Sequence, residues 1–277
     1  HLNLGFEEFV FIDNCSKDDS IDLLKNYDVT IVQSKLPYSK YKWAFKQFLV
    51  HDFGVNVWSL YVDIDELWEY PGLEKISLEE YFEYLNHNNY NAAAAMMLDM
   101  FADIPLKDLD SLENDDLKKI YPYFDNTALK IIPYKKAYNT TNHKETNRFS
   151  EGVHKQFFGV DSIYLSKIPL IKWDPSISVH ETSHESTFVN IADVSGLLLH
   201  YKFVKGFEKK IAKILEENNY WNSSAVYAKY AKIMAKNPSL NLKTKSSTFY
   251  KNPEQLEREK IVWIGEEYRK LMKSKCS

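Results

Sequence analysis

The sequence of 277 residues has only two cysteines, Cys15 and Cys276, which are too few for a disulfide framework. This scarcity argues against a small secreted scaffold and favours a reducing compartment. No apolar run approaches the ~18 residues that a membrane-spanning helix needs. Internal repeats, low-complexity segments and a signal peptide are also lacking. We therefore expect a globular chain in the cytoplasm.

Hydrophobic residues make up 44% of the chain and aromatic residues 15%, enough for one large core or a core with a helical appendage. The net charge of −4 is unevenly spread. Residues 201–277 hold 17 Lys and Arg against 8 Asp and Glu, whereas residues 1–200 hold 18 against 31. The favoured interpretation of the basic end is solvated helix faces. The alternative is peripheral contact with a charged partner or the anionic inner face of a membrane.

Hydrophobic periodicity predicts alternating strands and helices, an α/β chain. Strands are predicted at residues 6–13, 29–33, 57–62, 91–98, 153–158, 163–173 and 197–203. Helices are predicted after the turn at 16–20, at 38–53, at 77–86 behind a capping box, and as three segments after residue 203. The last of these is expected to run unbroken from Asn252 to Leu271. Pro169 predicts an edge or a bulge within its strand.

Two carboxylates follow the predicted strand at 57–62. In an extended segment Asp63 and Asp65 point the same way, and such a pair repels unless a cation lies between them. Oxygen ligands of this kind suit Mg²⁺ or Mn²⁺. The same Asp-x-Asp pattern at 108–110 follows no strand and predicts a solvated loop or helix start. An acidic exit from a strand is the plainer interpretation of both copies.

Five segments now occur in a familiar order. They are 11–20 (FIDNCSKDDS), 61–66 (YVDIDE), 152–159 (GVHKQFFG), 165–173 (LSKIPLIKW) and 196–203 (GLLLHYKF). Together they resemble bacterial glycosyltransferases of the GT-A fold, in the family-2-like group related to family 92. The resemblance implies a Rossmann-like mixed sheet flanked by helices in residues 1–204 and a helical extension in 205–277. It also implies that the first strand of the fold is missing ahead of His1, so that the first domain is truncated.

The resemblance implies a metal-dependent, inverting glycosyltransferase of the hexosyltransferase class. Its donor would be a nucleotide-sugar, UDP-linked, and its acceptor a glycan or a lipid-linked molecule in cell-surface polysaccharide biosynthesis. Mn²⁺ or Mg²⁺ would be the cofactor, and no nucleic-acid partner is expected.

The same resemblance implies a metal site. Asp65 would bind the cation directly, Asp63 would reach the ribose or the cation through water, and His200 would complete the shell. A lone histidine within an apolar strand is more often a hydrogen-bonded core residue, and that reading of His200 stays open.

Three further residues are candidates for the nucleotide. Asp13 and Asn14 would contact the uridine or ribose, and Lys202 would hold the diphosphate as a point charge. The alternative for Asp13 and Asn14 is local turn chemistry, which short Asx side chains perform well.

An inverting displacement needs a carboxylate that takes the proton of the acceptor hydroxyl. Asp99, at a strand end, and Glu185 are the candidates. His180 and His184 fit the spacing of a zinc metalloprotease motif, but the surrounding sequence does not favour the helix that this motif requires.

Two rival classes remain. A phosphatase of the haloacid-dehalogenase type also carries Asp-x-Asp after a strand, with Asp63 as nucleophile, but Leu67 stands where Thr or Val is usual. An inactive nucleotide-sugar-binding module is the second. The missing strand motivates it, as does His154, where relatives often carry arginine.

Overall fold

The computed structural model describes residues 1–113, 116–134, 146–161, 163–179, 186–217 and 224–275. Strands occur at β1 (Val10–Asp13), β2 (Thr30–Gln33), β3 (Ser59–Leu60), β4 (Glu66–Glu69), β5 (Ala92–Asp99), β6 (Tyr123–Phe124), β7 (Leu129–Tyr134), β8 (Thr146–Glu151), β9 (Ser166–Ile171), β10 (Ser178–Val179), β11 (Ser186–Thr187), β12 (Gly196–His200) and β13 (Thr248–Phe249). The α-helices are α1 (Ser20–Leu24), α2 (Tyr38–Phe53), α3 (Leu78–His87), α4 (Leu117–Ile120), α5 (Val153–Phe158), α6 (Phe207–Glu217), α7 (Ala225–Lys236) and α8 (Glu266–Ser274). Short 3₁₀ helices lie at Leu2–Leu4, Leu106–Ser111 and Pro253–Leu256.

A mixed five-stranded sheet in the order β3-β9-β5-β12-β4 forms the centre of the chain. Strands β5 and β12 are parallel, and the other three pairings are antiparallel. As a result β5 and β12 end, and β4 begins, at one end of the sheet, which we call the carboxyl rim. The α/β class predicted from the sequence is confirmed.

The interior of the sheet explains its unbroken apolar runs. Every residue of β5 and β12 is buried, because both strands have neighbours on either side and cover on both faces. Gly196 opens β12 where any side chain would overlap the indole nitrogen of Trp68 on the adjacent strand β4. The close approach of these two strands therefore requires glycine at this position.

The predicted strand at 57–62 is much shorter than expected. Only Ser59 and Leu60 pair, and they pair with β9 alone, so that β3 is a half-buried edge strand instead of a buried one. Strands β1 and β2 form a separate parallel pair. Pro169 lies in β9 beside the register shift opposite Ala93 and Ala95, which confirms the predicted bulge.

Local end signals predicted two helices well. Helix α2 ends at Phe53, directly before Gly54, as expected. At α3 the side chain of Ser77 accepts a hydrogen bond from the backbone N–H of Glu80, and the Glu80 side chain accepts one from the backbone of Ser77. This reciprocal pair confirms the predicted capping box.

Two other predictions are wrong. Residues 153–158 form the helix α5 and not a strand, bounded by Gly152 and Gly159, which both have positive φ. The last predicted helix is broken: a 3₁₀ turn covers Pro253–Leu256, and α8 starts only after Gly265. Both helices at 207–217 and 225–236 are confirmed.

The helices after residue 204 pack into the same hydrophobic cluster as the sheet. Phe207, Tyr230 and Tyr268 are buried in the cluster that contains Leu198 and Leu199 of β12. The boundary near residue 204 stays a prediction. None of the described helices is both long and apolar enough to cross a membrane.

Candidate functional site

Five ionisable side chains meet at the carboxyl rim. The strand register aligns Asp99 of β5 with His200 of β12, and His200 with Glu66 of β4. Register partners share one face of a sheet, so these three side chains lie on the same side. Asp63 and Asp65 enter from the turn that joins β3 to β4.

The acidic segment is a turn and not an extended strand end. The backbone N–H of Glu66 donates to the carbonyl of Asp63 at 3.0 Å, and Ile64 at the tip is 87% exposed. The expectation that Asp63 and Asp65 point the same way is therefore wrong. A turn sends the two carboxylates to different partners.

Asp65 faces the histidine that lies 135 positions later. Its Oδ2 atom is 3.9 Å from Nε2 of His200 and 3.7 Å from Nζ of Lys210 on α6. Asp65 is partly exposed, whereas His200 is buried. An acid and an imidazole with long sequence separation thus share one small space at the rim.

Behind His200 runs a buried chain of polar groups. Its Nδ1 atom is 2.7 Å from Oδ1 of Asp99, whose Oδ2 is 3.1 Å from Nε2 of His154. The last contact is not aligned well enough for a good hydrogen bond. The Nδ1 atom of His154 in turn is 2.7 Å from the hydroxyl of Tyr230 on α7.

Protonation in this chain follows from burial and charge. Burial alone would raise the pKa of Asp99, but His154 and His200 outweigh it, so the pKa lies well below its usual range. Burial lowers the pKa of His154, although Asp99 opposes that change. An ionised Asp99 accepts only, so Nδ1 of His200 is the donor. Its Nε2 atom then faces Asp65.

Lys202 leaves the end of β12 toward the same region. Its ammonium lies over the rings of Tyr227 and Tyr230, with centroid distances of 5.5 and 5.3 Å. The Lys202 side chain as a whole is partly exposed. Burial of its ammonium nevertheless lowers the pKa of Lys202 to about 8, although the nearby carboxylates of Asp99 and Asp65 oppose that change. Lys202 is therefore a cation close to the rim, and its binding to a diphosphate stays a prediction.

Asp63 belongs to a second cluster. The ammonium of Lys167 lies 2.9 Å from Oδ2 of Asp63 and 2.6 Å from Oε1 of Glu66, whose side chain is fully buried. Glu66 also accepts the backbone N–H of Asp63 at 2.9 Å. Burial alone would lower the pKa of Lys167, but the two carboxylates more than reverse that and raise it. Asp63 therefore stands as an ion-pair partner, and its metal or ribose role stays a prediction.

Lys46 on α2 lies beside this cluster, and its ammonium is 5.7 Å from the ring centre of Tyr61. Burial lowers its pKa to about 7. The unfolded chain, with an ordinary lysine pKa, binds more protons between about pH 7 and pH 10, so the stability of the fold rises with pH across that range.

Replacing this buried lysine with an apolar residue is expected to stabilise the protein. For Lys46→Met we expect a free energy of unfolding at pH 7 about 1–3 kcal/mol above that of the wild type, a gap that narrows towards pH 10. Urea unfolding at both pH values measures it. Lys40→Met, at an exposed position of the same helix, is the control and should change little. A Lys46→Met protein that is less stable at pH 7 would contradict the assignment.

A hard cation fits this rim only in part. Across the described ranges, no group of three or more His, Cys, Asp or Glu side chains is arranged to hold a metal. Asp65 and His200 supply two donors at a separation that one cation can bridge, and Asp99 orients the imidazole as a carboxylate behind a metal-bound histidine does. Mn²⁺ and Mg²⁺ often take one or two protein ligands and complete their shell with water and phosphate oxygens.

Asp13 and Asn14 make structural hydrogen bonds at the end of β1. Oδ1 of Asp13 accepts the backbone N–H of Ser16 at 3.0 Å, and the Asn14 amide donates to the carbonyls of Ser34 and Leu36, each at 2.7 Å. The Asp13 contact supports the local-turn alternative, whereas Asn14 ties this segment to the one that follows β2. A contact with nucleotide stays a prediction.

The two candidate bases differ in what the structure says of them. Glu185 lies outside the described residues, as do His180 and His184. Asp99 is buried, with a side chain only 2% exposed and both oxygens turned to imidazoles. Its carboxylate is poorly placed to meet an acceptor hydroxyl.

Sequence reasoning did not place Glu66, Lys167, His154, Lys210 or Tyr230 at this rim. Lys167 carried a usable signal, because a lysine within an apolar strand needs a buried carboxylate partner. Tyr230 and Lys210 carried none, since helical periodicity assigns a tyrosine to the core and a lysine to the surface.

Comparison of the chain with protein families, with curated proteins and with solved structures finds no match. The rim geometry and the chemistry of its residues are therefore the basis for a proposal about function.

Proposed function

We propose that this chain adopts the GT-A arrangement and is a metal-dependent glycosyltransferase that uses a nucleotide-sugar donor, UDP-linked. The observation that carries the proposal is the pairing of Asp65 and His200 at the end of a mixed sheet, 3.9 Å apart, with Asp99 behind the imidazole. In open α/β sheets, ligands bind outside the ends of the strands, where this pair lies.

The charges around the pair suit a diphosphate. Asp65 and His200 would hold Mn²⁺ or Mg²⁺, which when bound neutralises the diphosphate and stabilises the leaving nucleoside diphosphate. Lys202 and Lys210 add two ammonium groups on the same side, from β12's end and from α6. A neutral sugar bound alone would not need this concentration of positive charge.

The acceptor side is less defined. We propose an inverting transfer to a glycan or lipid-linked acceptor in cell-surface polysaccharide synthesis, with Glu185 as the candidate base. The basic residues after position 201 would support peripheral contact with an anionic membrane face, because ammonium groups near such a surface attract it.

The direct test is release of nucleoside diphosphate from UDP-glucose, UDP-galactose and UDP-N-acetylglucosamine. We expect turnover of at least one donor with Mn²⁺ and none with EDTA. Calorimetry with UDP and Mn²⁺ runs in parallel. Binding of UDP without turnover would favour the nucleotide-sugar-binding module, and neither binding nor turnover would overturn the proposal. Trapping of an aspartyl-phosphate on Asp63 would instead revive the phosphatase.

A further inference from the structure

The buried chain behind His200 determines which of its ring nitrogens carries the proton. Asp99 turns one oxygen to His200 and the other to His154, at 2.7 and 3.1 Å. His154, itself fully buried, meets the Tyr230 hydroxyl at 2.7 Å on its other nitrogen. A phenol donating to Nδ1 of His154 leaves the proton of that ring on Nε2, which faces Asp99.

This order of donors and acceptors affects the other nitrogen of His200, which faces Asp65. If Nδ1 of His200 donates to Asp99, its Nε2 presents a lone pair towards Oδ2 of Asp65 across 3.9 Å. When the imidazole is neutral, these two acceptor atoms repel, and a cation between them would remove the repulsion.

We infer that Asp99 is a positioning residue and not the general base, and that it directs Nε2 of His200 to a divalent cation shared with Asp65, with His154 and Tyr230 packed behind it. The inference rests on the proposed function for the cation at Asp65 and His200, and not for the transfer reaction.

The chain also ties the C-terminal helices to the site. Tyr230 lies on α7, packed against Phe158 and Phe203, with ring centroids 4.7 and 6.4 Å away. Its position is therefore set by the aromatic core, and a fixed hydroxyl can hold His154 against Asp99. Burial of this kind favours a rigid support over direct contact between Asp99 and an acceptor sugar.

The test measures the tautomer of His200 in metal-free protein labelled with ¹⁵N-histidine, compared in the wild type, Asp99→Asn and Tyr230→Phe. In the wild type we expect the proton of His200 on Nδ1. In Asp99→Asn we expect a shift of the proton towards Nε2 and an affinity for Mn²⁺, by calorimetry, about 10–100-fold lower. Tyr230→Phe removes one hydroxyl and keeps the ring, so it should fold. It should shift the Nδ1 signal of His154 and lower Mn²⁺ affinity less.

The outcomes separate the two roles of Asp99. A general base would make Asp99→Asn inactive with tautomer and Mn²⁺ affinity unchanged, and that result overturns the inference. So does a wild-type His200 protonated on Nε2, or a Tyr230→Phe protein with unaltered His154 signals. If no donor sugar is turned over, the tautomer and Mn²⁺ measurements still decide the inference, because neither depends on transfer.

Discussion

Lys167→Met is expected to lower the free energy of unfolding by about 3–5 kcal/mol at pH 7, because removal of one partner leaves a buried charge uncompensated. The lysine contacts Glu66 at 2.6 Å and Asp63 at 2.9 Å, and the Glu66 side chain has no exposed surface. Methionine fills a similar volume but cannot neutralise either carboxylate.

The pH dependence of this variant gives a second check. Without the lysine, burial and Asp63 both favour protonated Glu66, so its pKa in the folded variant should exceed that of the unfolded chain. Stability lost at neutral pH should then return as the pH falls and Glu66 takes up a proton. Urea unfolding at pH 5 and pH 8 measures the difference.

Two further variants control this result. Glu66→Gln combined with Lys167→Met should recover part of the loss, since the buried charge is gone. Lys172→Met removes a lysine just after β9 that hydrogen-bonds to Asn86 at 3.0 Å and is not buried, so it should change stability little. A loss for Lys167→Met no larger than that of Lys172→Met would show that the buried ion pair does not matter.

His200→Ala and Asp65→Asn are each expected to lower Mn²⁺-dependent turnover of the donor sugar by at least about 100-fold, because even residues behind a metal ligand are worth 10–100-fold. Oδ2 of Asp65 and Nε2 of His200 lie 3.9 Å apart at the rim. His200→Ala removes the imidazole nitrogen, and Asp65→Asn removes the negative charge. Product release assayed across Mn²⁺ concentrations, with stability followed by urea unfolding, separates loss of the site from loss of the fold.

The second Asp-x-Asp copy offers a matched control. Asp110 accepts the backbone N–H of Gly206 at 2.7 Å and pairs with Lys209 at 2.8 Å, at the start of α6. Asparagine keeps a side-chain oxygen that can accept the Gly206 N–H, so Asp110→Asn should leave turnover largely unchanged. Equal losses for Asp110→Asn and Asp65→Asn would show that turnover does not depend on the rim carboxylate in particular. Full activity of both His200→Ala and Asp65→Asn would refute the metal site.

Features with local causes could be predicted from the sequence. Helix α2 ends before Gly54 and α3 begins at the Ser77 box, because both signals act within one turn of helix. The strand β5 was predictable because a short apolar run ending in Asp99 can hardly remain exposed.

Misjudged elements had competing signals. The β-branched and aromatic residues at 153–158 favour a strand, yet glycines with positive φ bound a helix there. The apolar run at 57–62 suggested that the chain stays extended through Asp65, but it turns at 63–66 and begins β4 there. Gly152 and Gly159 were the available clue in the first case, and the three acids in the second.

Parts of the site could likewise be predicted from the sequence, and other parts could not. The acids at the end of an apolar run are visible in the sequence, but the pairing of Asp65 with His200 was expected only from the family resemblance. The links from His200 through Asp99 to His154 could not be predicted, because they depend on which residues of β5 and β12 lie side by side. The register between strands that are distant in sequence depends on the whole sheet, so neither segment alone predicts it.

That register makes the site sensitive to changes of chain length. Asp99 and His200 stand opposite each other between parallel strands, and Glu66 stands opposite His200 in the next. One residue inserted within β5 would turn the Asp99 side chain to the reverse face of the sheet, whereas many point substitutions would leave it in position. Insertions and deletions in these strands should therefore be far rarer among functional descendants of this chain than in the turns around them.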